Sequence, residues 1–145
     1  MDFVCLEPPC AEGALDALAL VRVAVAVFLA ILFVQSAADK IVDRKGNMEW
    51  LTGHFAKSPL SSVVGLMLTT ITLVELAAGV LSGVGAVTLL LDGSRTIASL
   101  GALLSMAALV MLFFGQRMAK DYAGAAALVP YFILACGALI VMGVP

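Results

Sequence analysis

Residues 60–91 read LSSVVGLMLTTITLVELAAGVLSGVGAVTLLL, and Glu75 is the only ionisable side chain among them. A helix this apolar has no face to offer water, so its neighbours must be other helices or hydrocarbon. A bilayer core of about 30 Å takes roughly 20 such residues, which makes the stretch a transmembrane span. It opens after Pro59, a residue suited to the first turn of a helix. At about 1.5 Å per residue the whole run would reach roughly 48 Å. The span proper is therefore expected at 60–82, with an extension to 91, and Gly79, Gly83 and Gly85 are expected to mark a tilt, bend or break.

The same reading extends in both directions. Upstream, 14–38 is a second apolar run, interrupted only by Asp16 and Arg22 and closed by Asp39 and Lys40. Downstream, 96–115 follows the turn Asp92, Gly93, Ser94, and 122–142 carries Pro130 as an expected kink. Between the first two runs the chain turns polar. Asp43 to Asn47 reads as a turn, and Met48, Trp50, Leu51 and Phe55 then share a helical face with Glu49 and Lys57 left for water. That pattern predicts a short interfacial helix. The fold class is all-α, an integral membrane bundle of four transmembrane helices forming a single domain over residues 1–145. With 63% hydrophobic and 12% charged residues in 145, the chain has no room for a separate soluble catalytic domain. The residues before the first run include Asp2, Glu7 and Glu12 and no Lys or Arg, unlike a signal peptide, so the first helix is expected to be retained.

Lys40, Arg44, Lys45 and Lys57 fall in the first connection, Arg117 and Lys120 in the third, and Arg95 alone in the second. Basic connections stay in the cytoplasm. Both termini are therefore expected outside it.

Ionisable groups inside a span usually face the bundle interior or a polar cavity, which singles out Arg22 and Glu75. Arg22 lies about eight residues, roughly 12 Å, from the outer end of the first span. Glu75 lies about seven residues, roughly 10 Å, from Ser82 on the antiparallel second span. The two are expected to meet as a buried ion pair, flanked by the polar stripe Thr72, Glu75, Gly79 and Ser82. Such a pair either fixes helix register or serves a proton relay or a quinone head group. Asp39, Lys40, Arg117, Lys120 and Asp121 form a charged cluster at the cytoplasmic ends, read as salt-bridged helix ends, as a charged vestibule or as a docking surface for a soluble partner.

Cys5 and Cys10 precede the first span on the oxidising side, which permits a disulfide as well as free thiols. Their spacing is wider than the redox Cys-X-X-Cys arrangement. His54 lacks a second His or Cys nearby and reads as a surface histidine, so no metal site is expected. Gly79 with Gly83, and Gly101 with Ser105, are small-residue pairs that let helices approach closely. No phosphate loop, nucleophile elbow or nucleic-acid-binding basic patch is present.

Arg22 in the first span, Lys40 at its end, Glu75 in the second and GQRMAKDYAG at 115–124 together resemble the DoxX family of small four-helix bacterial membrane proteins. The resemblance covers nearly the whole chain. It implies association with membrane redox systems, as in a thiosulfate:quinone oxidoreductase, and with enzymes of oxidative stress. The implied function is an accessory or quinone-proximal subunit of a bacterial membrane redox or respiratory complex, not catalytic alone. No cofactor motif is recognisable, although a quinone fits the family. The expected partners are the lipid bilayer and other subunits of a membrane complex. The alternatives are a non-enzymatic membrane scaffold or assembly factor, and a carrier for a small solute or proton.

Overall fold

The computed structural model describes residues 10–145, with side chains described from residue 17 onward in the first helix. Among the described residues five α-helices follow one another: α1 (Cys10–Val42), α2 (Arg44–His54), α3 (Val64–Leu91), α4 (Thr96–Met118) and α5 (Tyr122–Gly143). A single 3-10 turn, Ser61–Val63, leads into α3. No strand occurs among the described residues. Ala17–Val42, Ser61–Leu91, Thr96–Met118 and Tyr122–Gly143 are each long and apolar enough to cross a membrane.

The helices alternate in direction, and α3 lies between α1 and α4 while α5 packs on α4 and closes back on α1. The two helix starts that follow tight connections share one device. Asp43 accepts a hydrogen bond from the backbone N of Gly46 at 3.0 Å, and Asp121 accepts one from Gly124 N at 2.8 Å. Each aspartate thereby satisfies an orphan donor in the first turn of α2 or α5. The α3–α4 turn is made by Gly93, whose φ of 70° is the left-handed conformation that glycine adopts freely.

The interior is built largely of alanine, with Ala37, Ala78, Ala102, Ala108, Ala135 and Ala138 buried around Leu29, Phe33 and Leu68. Small side chains let the helix backbones come close. A Cβ on Gly85 would lie 2.4 Å from Ala98 Cα, and one on Gly101 would lie 2.6 Å from Ser82 N, so α3 and α4 touch backbone to backbone there. Gly79 plays the same part against α1, where a Cβ would lie 2.8 Å from Val34 N.

The close helix approach expected at Gly79 is present, and the expected break is not. The helix runs unbroken for 28 residues, about 42 Å, and Gly79 and Gly85 are its contact points rather than a break. The outside of the bundle is apolar: Leu20, Leu66, Leu90 and Ile140 are each about 70% exposed. That is the reverse of the arrangement water selects.

Candidate functional site

Lys40 stands near the C-terminal end of α1. Because a helical side chain leans toward the N-terminus of its helix, its amine is carried back one turn to the level of Ser36. There Nζ donates to Ser36 Oγ at 2.7 Å and to Ser36 O at 3.2 Å. It also lies 2.8 Å from Glu75 Oε2. Ser36 Oγ in turn donates to Glu75 Oε1 at 3.1 Å, so the serine sits between ammonium and carboxylate. Glu75 is fully buried on α3. The contact of Lys40 with Oε2 is one of charge rather than an aligned hydrogen bond, since Oε2 has no hydrogen-bond partner.

This geometry replaces the expected Arg22–Glu75 pair. Ala30 stands opposite Gly83 and Val34 opposite Gly79, which fixes the antiparallel register of α1 and α3. Counting back along both helices sets Arg22 opposite the end of α3, roughly 24 Å along the axis from Glu75. The expected meeting of the two takes Ser82 as the outer end of the second span, whereas α3 continues to Leu91. Arg22 instead donates through Nε to Val141 O at 2.9 Å and through Nη2 to Val144 O at 2.5 Å.

The rest of the polar stripe is buried as a row on α3. Thr72 Oγ1 donates to Leu68 O at 2.6 Å, within its own helix. Ser82 Oγ is buried without a hydrogen-bond partner among the described residues and faces Gly101 of α4. One turn along α4, Ser105 is fully buried and donates to Gly101 O at 2.8 Å.

Next to Lys40 lies a cavity of about 230 Å³, bounded by α2, the first half of α3 and the last half of α4. Leu51, Phe55, Met67, Ile71, Met111 and Leu112 supply its apolar wall. Lys40, His54 and Gln116 are its polar members. Trp50 also lines it and remains 59% exposed.

His54 holds α2 in place over this cavity. Its Nε2 is 3.0 Å from Gln116 Oε1 and 3.9 Å from Asp121 Oδ2. The ring stacks on Trp50 at a centroid distance of 4.5 Å and meets Phe55 edge-on at 5.2 Å. It is a docking residue rather than the surface histidine expected. The i, i+4 spacing of Trp50 and His54 was the available signal, since it puts both rings on one helix face. The start of α2 is tied to α3 by Arg44 Nη2, which donates to Thr69 Oγ1 at 2.7 Å.

The five charged residues expected as a salt-bridged cluster are divided among separate tasks. Lys40 turns inward to Glu75, and Asp121 caps α5 and approaches His54. Arg117 lies over the Tyr122 ring, 4.7 Å from its centroid, a cation–π contact. Lys120 adopts a φ of 59° in the α4–α5 turn. Asp39 contributes its carbonyl, which accepts from Asn47 Nδ2 at 3.3 Å. None of these five forms an ion pair with another. The Cys5–Cys10 pairing lies outside the described side chains, while Cys136 in α5 is a free thiol.

Comparison of the chain with family models, with curated proteins and with solved structures finds no match.

Proposed function

We propose that the protein is a DoxX-like accessory subunit of a bacterial membrane redox complex, and that the cavity beside Lys40 receives the ring of a quinone. In this reading the four long apolar helices span the inner membrane. Both termini lie outside the cytoplasm, and the end bearing α2 faces inward, in keeping with the basic residues of the first and third connections.

The observation that carries the proposal is the cavity itself. Its walls are apolar, its polar groups are few, and it lies beside the amphipathic helix α2. At about 230 Å³ it is smaller than the ~300–1,000 Å³ typical of pockets that swallow a whole drug-sized ligand. It suits a ring-sized head group whose tail continues into hydrocarbon. Quinone oxygens accept hydrogen bonds, and the donors at hand are the amide of Gln116, whose oxygen is already taken by His54, and the Lys40 ammonium.

Trp50 is the single tryptophan of the chain and lies on the rim of the cavity, so its fluorescence reports occupancy. A short-tailed quinone added to the protein in lipid nanodiscs should quench Trp50 saturably, and Gly115→Leu, which fills the cavity, should abolish the saturation. Quenching that rises linearly with quinone, equally in both proteins, overturns the reading.

A scaffold role has its own supporting observation. Lys40 and Ser36 of α1 both engage the Glu75 carboxylate of α3, as groups serving helix register do. Capture of a stable partner complex without quinone binding would favour it.

A further inference from the structure

At the end of the bundle opposite α2, two guanidinium groups from different helices converge on one carbonyl oxygen. Arg22 of α1 and Arg95, the residue immediately before α4, both donate to Val144 O at the end of α5. Capping explains the first of them. The last carbonyls of a helix lack intrahelical donors and carry the negative end of its dipole. Arg22 answers that need alone, since it reaches both Val141 O and Val144 O. Arg95 then adds a second positive charge to an oxygen already supplied.

Among the described residues no carboxylate lies within ion-pair distance of either arginine. Two like charges side by side repel, and a neutral carbonyl offsets little of that repulsion. Three N–H groups are used in the bonds to α5, which leaves most of the donors on the two planar forks. Paired guanidinium forks match the oxygens of a phosphate, which they bind by parallel charge-assisted hydrogen bonds. The surroundings are those of a lipid. Leu20 and Val21 beside Arg22, Leu90 and Leu91 at the end of α3, and Val144 itself all expose apolar surface.

We infer that Arg22 and Arg95 form a binding site for the phosphate of an anionic phospholipid, with acyl chains lying along the apolar surface next to it. The site is independent of the cavity near Lys40 and stands or falls separately from it.

Native mass spectrometry of the full-length protein, released from detergent containing phosphatidylglycerol and phosphatidylcholine, tests the site. Phosphatidylglycerol should be retained preferentially. Arg95→Gln should lower its retention by about fivefold, the effect of one cationic side chain at an anionic surface. Arg44→Gln, at the other end of the bundle, should leave it unchanged. Because Arg22 also caps α5, the test does not rely on its removal. A second measurement uses the unaltered protein, whose melting temperature in detergent should rise more with phosphatidylglycerol than with phosphatidylcholine. Equal retention of the two lipids, or unchanged retention in Arg95→Gln, overturns the site. Displacement of the lipid by millimolar inorganic phosphate, with a rise in melting temperature from phosphate alone, assigns the arginines to a soluble oxyanion and overturns the lipid assignment.

Discussion

Lys40 and Glu75, on neighbouring antiparallel helices, meet at 2.8 Å with Ser36 Oγ hydrogen-bonded to both. The carboxylate is fully buried and the Lys40 side chain is 17% exposed. Removing one partner leaves the other charge uncompensated, which is the costly way to break a buried pair. Lys40→Met and Glu75→Gln should each lower the stability of the bundle in detergent, Lys40→Met by about 3 kcal/mol. The double substitution Lys40→Met with Glu75→Gln should recover much of the loss, since it leaves no buried charge. Additive losses in a denaturant titration would contradict the contact. Arg22→Gln should not couple to Glu75→Gln in the same assay.

The close crossing of α3 and α4 makes a steric prediction. Gly85→Leu would drive a side chain into the Ala98 backbone, and overpacking of this kind costs about 1–3 kcal/mol or forces the helices apart. Gly137, around which a Cβ meets nothing, is the control within α5: Gly137→Ala should be neutral or stabilising by up to about 1 kcal/mol. Thermal melting of the two variants in one detergent checks both. Equal effects would mean the helices are not in backbone contact at Gly85.

The docking of α2 depends on His54. His54→Ala should remove the bridge to Gln116 and the stack against Trp50, so the α2 amides should exchange with deuterium faster while those of α3 do not. Trp50 emission should shift at the same time, because its ring loses a stacked neighbour. Unchanged exchange in α2 would show that Phe55 and Arg44 hold the helix without it.

Asp121→Ala should fray the start of α5 by removing its side-chain cap, with a loss of about 1 kcal/mol. Asp121→Asn should retain most of the cap, since its side-chain oxygen can still accept from Gly124 N. A comparison of melting temperatures for the two variants separates the cap from the weaker approach of Asp121 to His54.

The four long helices and the short α2 were readable because continuous apolar runs, and the polar break between the first two, are local properties of sequence. The burial of Glu75, Thr72 and Ser82 was readable for the same reason, from helical spacing along one run. The identity of the cation beside Glu75 was not. It depends on the register of α1 against α3, and that register is set by where Gly79 meets Val34, a contact between residues far apart in the chain. Lys40 also looked like the end of a span, when its stem leans back into the bundle. His54 escaped notice as a docking group because its partner Gln116 lies on α4, and no local pattern joins the two.

The pairing of Lys40 with Glu75 has a consequence for the order in which the chain is assembled. A ribosome releases Lys40 well before Glu75, with α2 and the first turns of α3 made in between. Until the carboxylate emerges, the first helix has only Ser36 to receive its ammonium. The first hairpin to close in biogenesis is therefore α1 with α3, and a chain halted before residue 75 should leave α1 without its neutralising partner and exposed to quality control.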